Sequence, residues 1–251
     1  MKMTTLLPGI DAFDRFVLLT KSRTLVVGDV HLGYEEMLGN QGVLVHARQA
    51  EQTIADVMKA VRRARPARVV LNGDITHEFK ATDNRQWRSL TRLLDEIGVA
   101  GAKIELVRGN HDTFLPQYAK RRGIPLHNAL AVDDIAIVHG DKERQIPAGV
   151  KSVIIGHEHP AIALRQGARR ESYKCFLAGR CTIARRRLNL VVMPSFFAGS
   201  SGTDLLVHKP AGPLLTARNL PSCSVYVVTD EGRGLLPFGT LKALRAAMDG
   251  E

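Results

Sequence analysis

The stretch Thr24-Leu25-Val26-Val27-Gly28-Asp29-Val30-His31 places an aspartate and a histidine directly after a short apolar run. Similar segments, in which Asp, Asn or His stands beside a glycine, recur along the chain. They are Gly73-Asp74, Gly109-Asn110-His111-Asp112, His139-Gly140 and Gly156-His157-Glu158-His159. Carboxylate, amide and imidazole groups are ligands of divalent metals, so the five motifs together predict a two-metal hydrolytic site.

The apolar spacing around the first three motifs alternates between strand and helix. It predicts strands at residues 16–19, 24–27, 68–71 and 103–107, and helices at residues 46–65 and 83–97. Pro66 ends the first helix, and Gly98 is the predicted exit of the second. This order is typical of parallel strands joined by helical crossovers.

After Asp112 the pattern changes to closely spaced strands. They are predicted at residues 130–132, 135–138, 150–155, 161–164, 173–178, 188–193 and 224–228, with a long loop at 197–213 and a helix at 239–248. This half predicts a second, mostly antiparallel sheet. The expected fold is an α/β, four-layer α/β/β/α sandwich of two mixed sheets flanked by helices, in a single domain over residues 1–251.

The composition fits a globular chain: 251 residues, of which 45% are hydrophobic and 24% charged. No apolar run is long enough for a membrane span, and the N-terminal residues do not resemble a signal peptide. Cys175, Cys181 and Cys223 are too few and too scattered for a disulfide framework. We therefore expect a cytoplasmic protein.

The net charge of +10 favours an anionic partner, although composition does not separate nucleic acid from phospholipid or nucleotide. The alternative is that the basic residues are solvated helix ends and loop tips. They form four clusters: Arg62, Arg63, Arg65 and Arg68; Lys120, Arg121 and Arg122; Arg165, Arg169 and Arg170; Arg180, Arg185, Arg186 and Arg187.

The first three motifs fall at the carboxyl ends of predicted parallel strands, where open α/β sheets bind ligands. The glycine of each motif is expected to allow a sharp turn and a close approach. Adjacent carboxylates are costly to bury unless a cation pairs with them. Asp74 is placed to bridge two cations about 3.5–4 Å apart. A lone histidine would more often be an ordinary core residue, but five of the nine histidines fall in these motifs.

The set of motifs over about residues 24–160 resembles the calcineurin-like metallophosphoesterase superfamily. The resemblance implies a first metal held by Asp29, His31, Asp74 and His159, and a second held by Asp74, Asn110, His139 and His157. It also implies that His111 is the catalytic histidine and that Asp112 orients it. Manganese is the expected metal, with iron, zinc or nickel as alternatives, since ligand type does not choose among them.

The resemblance also implies a mechanism. A hydroxide that bridges the metals attacks phosphorus in line, and Asn110 and the metals steady the developing charge. His111 stabilises the phosphoryl oxygens or protonates the leaving oxygen. His77, three residues after Asp74, is a further substrate-binding candidate, and its alternative is a loop histidine with a local hydrogen bond.

The segments around Asp29 and His77 resemble the prokaryotic ICC-like branch, which is related to repair nucleases. The expected protein is therefore a metal-dependent phosphodiesterase, with DNA as the leading substrate. Whether it forms a homodimer is left open by the sequence. The alternatives are hydrolysis of a small nucleotide or nucleotide-linked lipid and, less favoured, a non-catalytic scaffold. Residues 193–204 are predicted to form either a loop beside the cleft or a structural turn.

Overall fold

Two β-sheets packed face to face form the centre of the computed structural model. The structure describes residues 2–35, 49–77, 84–143, 146–166, 169–183, 185–229 and 234–249. Within these ranges no helix is long and apolar enough to cross a membrane.

The first sheet has seven strands that lie side by side in chain order. They are β1 (Thr4–Leu7), β2 (Ile10–Phe13), β3 (Phe16–Leu19), β4 (Thr24–Gly28), β5 (Arg68–Asn72), β6 (Lys103–Val107) and β7 (Leu126–His127). β1 to β4 are antiparallel, whereas β4 to β7 are parallel. The predicted strand–helix alternation is confirmed. The short strands β1, β2 and β7 have no counterpart among the strands predicted from the sequence.

Three helices cover the outer face of this sheet: α1 (Gln49–Ala64), α2 (Asn84–Val99) and α3 (Leu115–Arg122). The apolar stripes of α1 and α2 are buried, as their spacing predicts. The predicted start of the first helix at residues 46–48 and Asp83 lie outside the described residues. The predicted exit at Gly98 is wrong: α2 continues to Val99, and the left-handed turn falls at Gly101, with φ +83°.

The second sheet has nine strands. They are β8 (Leu130–Val132), β9 (Ile135–Val138), β10 (Ser152–Ile155), β11 (Pro160–Gln166), β12 (Arg169–Ile183), β13 (Arg186–Val192), β14 (Thr203–Asp204), β15 (Ser224–Val228) and β16 (Leu235–Thr240). Most pairs are antiparallel, but β9, β10 and β13 run parallel, as do β11 and β14. The helix α4 (Leu241–Asp249) follows β16, and the predicted loop at 197–213 contains β14.

The main core lies between the two sheets. Val26 and Val70 of the first sheet share an apolar cluster with Ile154, Phe176 and Val191 of the second. A second apolar cluster lies between α1 to α3 and the first sheet. A third lies on the other side of the second sheet and includes Leu241, the first residue of α4. The order of layers is thus helices, sheet, sheet, helix, which confirms the predicted α/β/β/α sandwich.

Candidate metal centre

Five strands from both sheets end at one edge of the sandwich, and each is followed by one of the motifs. β4, β5 and β6 lead to Asp29, Asp74 and Asn110. β9 and β10 lead to His139 and to the His157–His159 segment. Because the strands run parallel within each sheet, their carboxyl ends bring these side chains together.

One group of side chains consists of Asp29, His31 and His159, whose ligand atoms lie within 4.8 Å of one another. Nε2 of His159 is 3.4 Å from Oδ1 of Asp29 and 3.4 Å from Nε2 of His31. Two imidazole nitrogens and a carboxylate that face one point form a typical site for a borderline divalent metal.

The second group consists of Asp74, His139 and His157, with the same mutual spacing. Nε2 of His139 is 3.3 Å from Oδ2 of Asp74 and 2.9 Å from Oδ1 of Asn110. The structure therefore places the Asn110 amide beside this group.

The two groups are adjacent. Oδ2 of Asp74 is also 4.0 Å from Nε2 of His31 in the first group. Oδ1 of Asp29 is 3.6 Å from Nδ1 of His139 in the second group. Asp74 thus belongs to the second group and also approaches His31 of the first, as a bridging ligand would have to do.

The electrostatics of the centre favour ionised carboxylates. Burial alone would raise the pKa of Asp29, but His159, His139 and His31 outweigh it and hold this pKa below its usual range. Burial would likewise raise the pKa of Asp74, but contact with His139 outweighs it and holds this pKa below its usual range. Desolvation lowers the pKa of His31 to about 3 and so keeps its ring neutral. Burial opposes the charge on His139, but Asp74 and Asp29 raise its pKa to about 9.

The donor set fits a divalent cation. Nδ1 of His139 is buried and has no hydrogen-bond partner among the described residues, although it faces the Asp29 carboxylate. The ring nitrogens of His31 and His159 point at each other. A divalent cation between these imidazole nitrogens and carboxylates would accept their lone pairs, which otherwise face one another.

The backbone of the candidate ligands is strained. Several of them have positive φ angles, which non-glycine residues rarely adopt. They are Asp29 (+51°), His31 (+47°), Asp74 (+43°), His157 (+63°) and His159 (+45°). Such strain is typical of sites in which the surrounding structure fixes a functional geometry.

Three motif glycines make room for ligands from other motifs. A Cβ at Gly109 would lie 2.2 Å from Oδ1 of Asp74, and one at Gly156 would lie 2.4 Å from Oδ2 of Asp29. A Cβ at Gly73 would lie 2.2 Å from Nδ1 of His139. Gly28 differs, because a Cβ there would meet only ordinary contacts, the nearest at 3.7 Å.

The family model for calcineurin-like phosphoesterases matches residues 22–147, half of the chain. The chain belongs to the calcineurin-like phosphoesterase family. Membership indicates a metal-dependent phosphoesterase, to which the two ligand groups correspond.

The solved structures include similar chains. Nuclease MPE from Pseudomonas putida is 20% identical, with a TM-score of 0.63, and the match covers 91% of this chain and 94% of that one. This similarity supports the fold. The phosphoesterase Yfce from E. coli is 12% identical, with a TM-score of 0.36 and coverage of 83% and 88%, which is too low to support an argument. A search of curated proteins finds no significant match.

In this phosphoesterase, His111 lies at the edge of the two groups. Its ring stacks on His77, with centroids 4.8 Å apart, and meets His31 edge-on at 5.7 Å. Its backbone N–H donates to Oδ1 of Asp74 at 3.0 Å. Nδ1 of His77 is 3.2 Å from Nδ1 of His31, so both sequence-predicted histidines lie beside a candidate ligand.

Asp112 is buried and anchors the loop that carries His111. Its Oδ2 accepts the N–H of Gly109 at 2.9 Å, and its Oδ1 accepts the N–H and the hydroxyl of Thr76 at 3.1 and 3.0 Å. Burial raises the pKa of Asp112 to about 6 despite these donors. Among the described residues its bonds go to Gly109 and Thr76, so any orientation of His111 acts through the loop and not through the ring.

The segment at residues 193–197 is packed against the first motif. The sequence leaves open whether this segment is a loop beside the cleft or a structural turn. Its backbone N–H groups at Phe196 and Phe197 donate to the carbonyls of Gly28 and Asp29, and Oγ of Ser195 donates to that of Asp29. The Lys174 ammonium donates to the carbonyls of Ser195 and Phe197 from the other side.

Sequence reasoning assigned no role to Glu158, which lies between two candidate ligands. Its carboxylate is buried and accepts the N–H groups of Ala211 and Gly212 at 2.7 and 2.9 Å. Burial raises its pKa although these donors act in the opposite direction. Glu158 thus ties the segment around Gly212 to the centre, a contact that only the fold reveals.

Proposed function

We propose that this chain is a binuclear phosphodiesterase that cleaves DNA. One observation supports the proposal most strongly: the Asp74 carboxylate contacts His139 of its own group and also lies 4.0 Å from His31 of the adjacent group. Asp29, His31 and His159 would hold one divalent cation, and Asn110, His139 and His157 the other, with Asp74 shared. Two such cations supply Lewis-acid activation of water and charge neutralisation at a phosphoryl group.

The residues of this chain have distinct roles in the proposal. The amide oxygen of Asn110 faces His139, which leaves its NH2 group to donate to a phosphoryl oxygen. The His111 ring is half-buried at the edge of the centre, where it protonates the leaving oxygen or stabilises the phosphoryl oxygens. His77 stacks on that ring and restricts its orientation.

DNA is the proposed substrate because of the strongly positive charge and because a structure of similar fold is named a nuclease. The relation to repair nucleases in the ICC-like branch belongs to the same proposal. Manganese is the metal to test first.

The experiment is an activity panel on manganese-loaded wild type and the His111→Asn variant. The substrates are bis-p-nitrophenyl phosphate, p-nitrophenyl phosphate, and single- and double-stranded DNA and RNA. We expect cleavage of the diester and of DNA, with turnover lower by roughly 10²–10⁴-fold in the variant. Manganese binding should be retained, because the bond from His111 to Asp74 uses the backbone.

Unchanged turnover in His111→Asn would contradict the catalytic assignment. Cleavage of small esters with DNA intact would replace the nuclease by a small-molecule phosphoesterase. Binding of manganese without cleavage of any ester would favour the scaffold.

A further inference from the structure

The structure divides the four basic clusters into two kinds. Arg62 and Arg63 lie in the last turn of α1, and Lys120, Arg121 and Arg122 in the last turn of α3. Cations at a helix C-terminus are stabilised by the helix dipole, so these two clusters have a structural explanation. The other two clusters lie on β-strands. In one of them Arg169 pairs with Glu171 and Arg170 with Asp204, whereas the cluster that includes Arg180 and Arg187 has neither explanation among the described residues.

The strand register gathers this last cluster into one surface depression of about 520 Å³, lined by Lys151, Arg180, Arg186, Arg187 and Asn189 among others. We refer to it as the basic depression. The described residues that line it include no acidic side chain. One neighbour, Asp134, pairs with Lys151 at 3.3 Å, and both side chains are exposed.

Two arginines of the depression, Arg180 and Arg187, share one face of the sheet with Thr182 and Asn189. Arg180 is directly opposite Asn189, and Thr182 is directly opposite Arg187, so alternation puts all four on the same side. Four residues before Arg180 on β12, this same face carries Phe176, which is buried between the sheets. The face therefore changes from core to exposed arginine along one strand.

The depression is partly preorganised. The Arg186 guanidinium donates to the carbonyls of Pro147 and Val150 at 2.9 and 2.7 Å, which fixes its position. Arg180 and Arg187 are diagonal neighbours on adjacent strands, about 7–8 Å apart, so their long side chains can approach each other and repel. A bound anion would remove that repulsion.

The basic depression and the metal centre lie at opposite ends of the same strands. Lys151 precedes β10, and His157 follows it after one glycine. Arg186 and Arg187 begin β13, and the segment that contacts Asp29 follows its end. The seven residues of β13 span about 20 Å, the length of roughly six base pairs of DNA.

We propose that the basic depression binds the phosphate backbone of DNA at a distance from the bonds that are cleaved. The choice of DNA rests on the proposed function. Exposed guanidinium groups on adjacent strands suit a backbone of repeated phosphates, which they recognise without reading sequence.

The test compares Arg180→Gln/Arg187→Gln with Arg62→Gln/Arg63→Gln, which removes the same charge from the last turn of α1. Binding to a labelled duplex of roughly 30 base pairs is measured by fluorescence anisotropy over a range of salt concentrations. We expect the first variant to bind about ten-fold more weakly at low salt and its salt slope to fall by about 2. The second should bind as the wild type does. Melting temperatures check that both are folded.

Equal affinity and slope for the two variants would overturn the proposal, as would a wild type that does not bind the duplex. The measurement needs no cleavage. If the manganese-loaded wild type does not hydrolyse bis-p-nitrophenyl phosphate, the proposed function is refuted instead. Failure of the binding proposal and failure of the proposed function are therefore distinguishable.

Discussion

Gly73 and the imidazole of His139 share a space that a side chain at position 73 would fill. Gly73 has φ +69°, and a Cβ there would lie 2.2 Å from Nδ1 of His139. The glycine follows β5 of the first sheet and the histidine follows β9 of the second. The position of this candidate ligand therefore depends on the absence of a side chain on the opposite sheet.

Gly73→Ala is expected to displace His139 and to weaken manganese binding at its group. The added methyl cannot coexist with the ring, which is fully buried and has little room to move. Isothermal titration with Mn²⁺ measures the loss, and the melting temperature should fall as well.

The matched control is Gly101→Ala. Gly101 also has positive φ, at +83°, but a Cβ there would have no atom within 4 Å. Both variants carry the backbone strain, of about 1 kcal/mol, and only one carries the clash. Equal metal affinity in the two variants would show that the contact with His139 is unimportant.

Asp112→Asn is expected to reduce kcat/KM more than Thr76→Val does. The carboxylate accepts three donors, and an amide in its place would turn an NH2 group toward one of them. Thr76→Val removes only the hydroxyl donor. Steady-state kinetics on bis-p-nitrophenyl phosphate give the ranking, and the reverse ranking would argue against Asp112 as the anchor of the His111 loop.

Glu158→Gln is expected to destabilise the fold by about 1–3 kcal/mol, because one oxygen of the buried carboxylate becomes an NH2 group that cannot accept from the N–H it faces. Hydrogen exchange should become faster at Ala211 and Gly212. Urea denaturation measures the stability, with the exposed Glu51→Gln as control. A variant as stable as this control, with unchanged exchange, would contradict the anchoring role.

Lys174→Met is expected to remove a pH dependence of stability. Desolvation, aided by Arg15, lowers the pKa of Lys174 to about 7 from its usual 10.5. Between these values the unfolded chain binds more protons than the folded chain, so the contribution of Lys174 to stability rises with pH. The free energy of unfolding of the wild type relative to the variant should therefore increase from pH 7 to pH 9. Parallel curves for the two proteins would be inconsistent with a depressed lysine pKa.

The strand–helix alternation and the convergence of the motifs could be predicted from the sequence. Local apolar spacing determines elements such as α1 and β5, and parallel strands necessarily place their carboxyl ends together. That residues 1–251 form one domain stays a prediction, as do the individual roles of the site residues.

The rest depended on contacts between distant segments. No local pattern links Lys174 to the carbonyl of Ser195, or Glu158 to the N–H of Gly212. The basic depression likewise arises from the register of β12 against β13, which brings Arg180 near Arg187. Charge clusters that look alike in sequence therefore separate only in the fold.

Each ligand group takes members from both sheets: Asp29 and His31 join His159, and Asp74 joins His139 and His157. A cation held by either group would cross-link two halves of the chain that are far apart in sequence. Neither half supplies a complete group, so correct assembly of the sandwich would be a precondition for hydrolysis. The separation of the two sheets would then abolish activity even if each sheet stayed intact.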